Sequence, residues 1–181
     1  MFIDLLRRRR SIRQFHDRPV ESEKIELLKE AMLRSPSSRS LNPWEFVIVT
    51  DKNIVVELSK SKPHGASFMK NAPLAVVVCA DPQRCDVWVE DCSIASLILH
   101  LTAEDLGLGS CWVQIRLRDH DQQMSAEDYV KNLLGIPGSF VVEAIIAIGY
   151  GKEEKPGHAT ESLLHDRVSL NRYGNPTQTR K

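Results

Sequence analysis

The sequence predicts a domain of helices and strands packed around a single sheet, in the α/β or α+β class. Three observations predict it. Two apolar runs, Leu74 to Ala80 and Val141 to Ile148 (the second broken by Glu143), have the length of strands buried on both faces. Segments with helical spacing alternate with these strand-like runs along the chain. The 181 residues suit one domain. A chain of that size buries about 70% of its unfolded surface, enough for a core.

Taken in order, residues 2–9 form a short helix, with Ile3, Leu5 and Leu6 as its apolar contribution. A second helix runs from about Ser22 to Leu33. Ser22 caps its start, Glu23 suits the positive end of the dipole, and Ile25, Leu28, Ala31 and Met32 share one face. Pro36 ends it. Glu45 to Thr50 reads as a strand, Asn53 to Ser61 as a short helix and Leu74 to Ala80 as a buried strand.

Asp86 to Leu106 is the longest helical segment. Ile94, Leu97, Ile98, Leu101 and Leu108 keep helical spacing, while Ala95, Leu99 and Ala103 fill other sides. A helix apolar on several sides is either a buried central helix or a subunit-interface helix. Gly107 and Gly109 stop it. Ser110 to Ile115 is the next strand. Ser125 to Leu134 is a helix with Ser125 and Asp128 at capping-box spacing, closed by Gly135 and Pro137. Phe140 to Ile148 is the last core strand. Residues 151–181 are polar, with Leu163, Leu164, Val168, Leu170 and Tyr173 as their few apolar anchors. Such an arm has no core of its own and is either disordered or laid across another surface, such as a partner subunit.

Composition excludes several classes. Lys plus Arg number 24 and Asp plus Glu 24, so the chain lacks the positive surplus of a general nucleic-acid binder. The apolar stretch Phe2 to Leu6 is too short for an export signal and runs into Arg7–Arg10. No run of about eighteen apolar residues spans a membrane. Cys79, Cys85, Cys92 and Cys111 form no Cys-x-x-Cys pair, and no histidines stand at zinc spacing, so no metal site is expected. Cys79 and Cys111 lie in apolar runs and read as small buried residues. These features place the protein in the reducing cytoplasm. No nucleophile elbow, metal-ligand helix motif or phosphate loop with lysine supports a hydrolase.

Four constellations remain. Arg7-Arg8-Arg9-Arg10-Ser11-Ile12-Arg13 offers paired donors to a phosphate monoester, or is a solvated basic face. The stretch from Arg34 through Ser35, Pro36, Ser37, Ser38, Arg39, Ser40, Leu41, Asn42, Pro43 and Trp44 to Glu45 and Phe46 joins a helix to a strand. It offers short donors to a ring or phosphate, or is a plain turn. Gly107-Leu108-Gly109-Ser110-Cys111-Trp112 follows a helix and opens a strand, the reverse of a dinucleotide fingerprint, and locally reads as a helix stop. His64, in Lys62-Pro63-His64-Gly65, is a proton donor to a reduced substrate or a lone surface histidine.

Arg9-Arg10-Ser11-Ile12-Arg13, Pro36-Ser37 through Asn42-Pro43-Trp44, Gly107-Leu108-Gly109-Ser110-Cys111-Trp112 and Ala147-Ile148-Gly149-Tyr150 occur in this order and at these separations. Together they resemble the nitroreductase family of FMN-dependent oxidoreductases, from residue 2 to about residue 174. The resemblance implies an α+β sandwich with a central, mostly antiparallel sheet flanked by helices. It implies an intertwined homodimer with two flavins at the interface, and one FMN-binding domain over 1–181 with 151–181 as an extended arm. It implies roles as well. Arg9, with Arg10 beside it, resembles the ligand of the flavin phosphate. Arg13 resembles the cation at the pyrimidine edge, where positive charge favours reduced flavin. Ser11, Ser37, Ser38 and Ser40 match positions that hydrogen-bond the ring or ribityl chain, with Pro36 packing there. Gln114 and Ile115 match the strand end whose backbone N–H faces flavin N5. Four departures stand out. Ser40 replaces the family's usual Asn, Asn42 its Gln, and Ile115 a common Gly. After Gly149-Tyr150 the usual Arg-rich segment is Lys152-Glu153-Glu154-Lys155-Pro156, leaving Lys152 or Lys155 as the second phosphate cation.

The resemblance implies ping-pong transfer of two electrons from NADH or NADPH to a small organic acceptor such as a nitroaromatic or quinone. One shared open face needs no separate nicotinamide-binding fold, in line with the missing fingerprint. The alternatives are a related reductive dehalogenase, a flavin-cleaving or peptide-ring-dehydrogenating relative, a flavin storage or sensor module without turnover, and a basic adaptor using Arg7–Arg10. The short segments 62–73 and 116–125 leave little room for a large lid and favour a minimal reductase.

Overall fold

A computed structural model describes residues 1–177, so the last four residues of the arm, 178–181, lie outside the described residues. Four strands, β1 (Trp44–Val49), β2 (Leu74–Ala80), β3 (Gly109–Gln114) and β4 (Val141–Gly149), form one antiparallel sheet in the order β1-β2-β4-β3. The helices are α1 (Phe2–Arg8), α2 (Ser22–Leu33), α3 (Lys52–Leu58), α4 (Trp88–Asp105) and α5 (Ala126–Leu134).

β2 and β4 take the centre because every residue in them can be buried. In β2, Ala75, Val77 and Cys79 face one apolar layer and Leu74, Val76, Val78 and Ala80 the other. The first layer is closed by α3, α5 and the short turn Ser67–Asn71, through Val55, Leu58, Met69, Ala126 and Val130. The second is closed by α2 and α4, through Leu28, Met32, Cys92, Ala95, Leu99 and Ala103. Each large aliphatic side chain so buried contributes about 1.5–3 kcal/mol. The sheet is thus sandwiched between helices, as the resemblance implies.

The strand and helix assignments hold to within a few residues, and the differences have local causes. α2 begins at Ser22 itself, with Glu21 at the N-cap and no side-chain cap, so Ser22 is not the cap. Asp51 caps α3 by accepting from the Asn53 and Ile54 amides at 2.8 and 3.3 Å. Ser125 caps α5, accepting from the Asp128 amide at 3.0 Å and donating to its carboxylate at 2.7 Å. Gly107, at φ +73°, makes the left-handed turn after α4, whereas Gly109 belongs to β3. α4 is buried on one side only; Ile94 and Leu97 on the other stay exposed.

Candidate functional site

The basic segment after α1 adds itself to the free edge of β3. Ser11 bridges Ser110 in parallel, and the Ile12 N–H donates to the Ser110 carbonyl at 3.0 Å. Gly109 permits the approach: a Cβ there would lie 2.8 Å from the Ile12 side chain. The second glycine of Gly107-Leu108-Gly109 therefore seats the basic segment. Behind this contact the His100 ring meets the Ser110 hydroxyl at 2.7 Å. Burial, with help from the Arg9 charge, pushes His100 down to about 4.

The segment after β4 closes over the same residues. Phe15 bridges Gly151, the Lys152 amide donates to the Gln14 carbonyl at 2.8 Å, and the Arg10 guanidinium donates to the Pro156 carbonyl. Glu153 accepts from the Arg13 and Gln14 amides at 2.5 and 3.2 Å. Those bonds, led by the Arg13 amide and followed by Lys155, hold its carboxyl below the usual range. Lys155 donates to the Ser11 carbonyl at 3.1 Å and pairs with Glu153 at 3.0 Å. Of the two lysines, Lys155 therefore stands beside Ser11. Lys152 lines a separate groove with Gln14, His16, Asp17 and Lys52. Arg13 lies 5.8 Å from the Phe68 ring centre, and its charge opposes the upward push of burial on the Cys111 thiol. Arg9, Arg10 and Arg13 have no carboxylate ion-pair partner among the described residues.

The serine-rich segment lies elsewhere. Ser38–Ser40 form a short 3-10 turn after the exposed Pro36, ahead of β1. Trp44, at its end, pairs with Ala80, the last residue of β2. Ser110, which holds Ser11, pairs with Ile148, and Ile148 with Leu74, the first residue of β2. Ser11 and the Ser37–Ser40 loop therefore stand at opposite ends of β2, about 20 Å apart along the strands. One chain does not bring them together.

At the far end of β3, the chain turns against β4. The Ile115 N–H donates to the Glu143 carbonyl at 3.2 Å, as does that of Arg116 at 3.0 Å, and the Ile115 side chain is buried in the core. The Ile115 amide is thus engaged with Glu143. The Gln114 side chain accepts from the Trp112 indole at 2.9 Å and donates to the Arg116 carbonyl at 3.1 Å. His64 is exposed and makes no hydrogen bond among the described residues, as a lone surface histidine does. Tyr150 ties the end of β4 to α2, donating to Glu21 at 2.6 Å and accepting from Lys24 at 3.0 Å. That hydroxyl is the main reason the Glu21 carboxyl falls to about 2.

Sequence reasoning missed Glu153, Phe68, His100 and Asp91, whose carboxylate accepts the Ser38 amide at 2.8 Å. Asp91 alone carried a signal: it shares the i, i+4 stripe of Ala95, Leu99 and Ala103, where a carboxyl is out of place. The others are joined to the site only through tertiary pairing.

An antiparallel sheet clothed by helices, with an arginine-rich segment on one edge strand, defines an α+β sandwich with a basic segment along that edge. The sequence profile of the nitroreductase family matches residues 6–62 and 55–150, and the chain belongs to that family. An FMN-dependent nitroreductase from Clostridium difficile superposes with a TM-score of 0.93 at 44% identity, covering 94% of this chain and 99% of that one. A protein of Archaeoglobus fulgidus, provisionally named NADH dehydrogenase/NAD(P)H nitroreductase, is 35% identical over 91% of this chain and 94% of its own length. The FMN reductase [NAD(P)H] of Bacillus subtilis is 32% identical over 90% of this chain and 72% of its own length.

Proposed function

We propose that this chain is an FMN-dependent oxidoreductase that takes two electrons from NADH or NADPH and passes them, in ping-pong order, to a small organic acceptor such as a nitroaromatic or quinone. The observation that carries the reading is the unpaired arginine cluster on the β3 edge. Arg9, Arg10 and Arg13 form no ion pair among the described residues, so their charge is available to an anionic ligand. The donor set fits FMN, which has a phosphate at one end and a ring that becomes anionic at the other. Arg9 and Arg10, with Lys155 beside Ser11, would hold the phosphate, and Arg13 would face the ring's pyrimidine edge. Ser110 and Gln114 lie four residues apart on β3, about 13 Å along the strand, room for an extended ligand on that edge. FMN, when bound, supplies the two-electron chemistry. The chain orients donor and acceptor in turn on one open face and holds positive charge by the ring.

The protein would work as a homodimer. Ser37, Ser38 and Ser40 sit a sheet-length from Ser11, so a second copy is needed to bring such a loop to the arginine cluster. Phe2 and Leu6 on α1 and Ile94 and Leu97 on α4 are exposed apolar side chains. The arm's Leu163, Leu164, Val168, Leu170 and Tyr173 are exposed too. A groove beside the free edge of β1, lined by Met32, Leu33, Trp44, Phe46 and Ile48, suits such an arm. The buried Trp44 indole N–H has no acceptor there. No helix among the described residues is long and apolar enough to cross a membrane. The four free, buried thiols agree with a reducing, cytoplasmic setting.

The test is an absorption spectrum of the purified protein followed by anaerobic additions of NADPH and NADH. A flavin spectrum that bleaches is expected. One that persists would indicate a binding module without turnover, and no flavin after adding FMN would overturn the reading. Arg9→Glu should strip the FMN, because it replaces attraction with repulsion at a phosphate.

A further inference from the structure

The loop carrying Ser37, Ser38 and Ser40 contains no glycine, yet Arg39, Ser40 and Asn42 hold φ of +53°, +54° and +47°. Among the described residues only Leu117 and Asn171 are other non-glycine positions with positive φ. Three such residues within four positions do not persist unless their surroundings impose them. Part of the constraint is local: the Ser37 hydroxyl accepts from the Asn42 amide at 2.9 Å and donates to its side-chain oxygen at 2.6 Å. The rest comes from α4 and the turn before it. Arg39 pairs with Asp86 and lies against Cys85.

Asp91, in the first turn of α4, is only 2% exposed. One carboxyl oxygen accepts the Ser38 amide at 2.8 Å, and the other accepts the Cys85 thiol at 3.4 Å. No lysine or arginine pairs with it among the described residues. A carboxyl in the buried stripe of a helix is costly unless specific donors meet it. Here those donors come from the loop and from the turn that Arg39 leans on.

We propose that Asp91 is a positioning residue for the cofactor: by accepting the Ser38 N–H it fixes the left-handed residues Arg39, Ser40 and Asn42 and so presents Ser37, Ser38 and Ser40 to the flavin. This rests on the flavin reading of that loop. Asp91 itself touches no ligand, and its effect passes through the loop backbone.

Asp91→Ala and Asp91→Asn separate this role from packing. Asparagine keeps an oxygen for the Ser38 amide, whereas alanine does not. Titrating FMN into each apoprotein, Asp91→Ala should bind about tenfold more weakly and Asp91→Asn within about threefold of the parent. Amide exchange over residues 37–42 should quicken in the alanine variant and stay slow in the asparagine one. Asp91→Val, which fills the space without accepting a bond, takes the place of alanine if that variant does not fold. A lower melting temperature with unchanged FMN affinity and unchanged exchange would make Asp91 a packing residue and overturn the proposal. Equal loss in the alanine and asparagine variants would do the same. If the parent binds no FMN, the flavin reading fails, and exchange over 37–42 still decides whether Asp91 holds the loop.

Discussion

Lowering the pH from about 7.5 to about 5 should destabilise the protein through His100. Its imidazole is 9% exposed, and folding lowers its pKa from 6.5 to about 4. The unfolded chain therefore takes up the proton first. The stability contributed by the neutral ring is complete above about pH 6.5 and is lost as the pH falls towards 4. With those two values, the linkage relation gives a loss of about 2 kcal/mol between pH 7.5 and 5, approaching about 3 below pH 4. Other groups titrate over the same range, so the measurement is a difference. Urea unfolding of the parent and of His100→Gln, which retains a partner for the Ser110 hydroxyl, would be followed at both pH values. For a urea slope of about 2 kcal/mol/M, the parent's midpoint should fall by about 1 M more than the variant's. Parallel shifts in the two proteins would show that His100 titrates normally, and that burial against Ser110 and Arg9 does not hold it neutral.

Gly109→Ala should cost about 1–3 kcal/mol by overpacking against Ile12, and should weaken FMN binding because the arginine segment is seated there; unchanged melting and affinity would refute that seat. Glu143 is buried with one carboxyl oxygen unpartnered, and burial raises its pKa. Its contribution is complete below about pH 4.5 and is lost as the pH rises through the raised value, so Glu143→Gln should raise the melting temperature at pH 7.5 more than at pH 4.5. No difference between the two pH values would contradict this. Leu97→Glu places a charge on the exposed face of α4 and should shift the protein towards monomer, as read by light scattering, with its helix content retained. A dimer of undiminished stability would move the interface elsewhere.

Much of the fold is legible locally. Leu74–Ala80 was bounded by its own apolar run, because a strand buried on both faces needs every side chain apolar. Ser125 marked the start of α5, because a cap acts within one turn. Ser22 misled for the same reason: it stands one residue inside α2, and a serine at the first helical position looks like a cap in sequence. The arginine segment and the serine loop could be singled out, but neither could be placed relative to the other.

By itself, the sequence determined the strands, the helices, the family and the residue types available to an anionic cofactor. These follow from side-chain periodicity and from motif order, both carried by neighbours along the chain. Only the tertiary structure decided that Gly109 admits Ile12, that Lys155 rather than Lys152 stands by Ser11, that the Ile115 amide is already used, and that Asp91 grips the serine loop. Each of these is a contact between segments far apart in sequence. Strand register and helix packing set such contacts, and no local pattern encodes them.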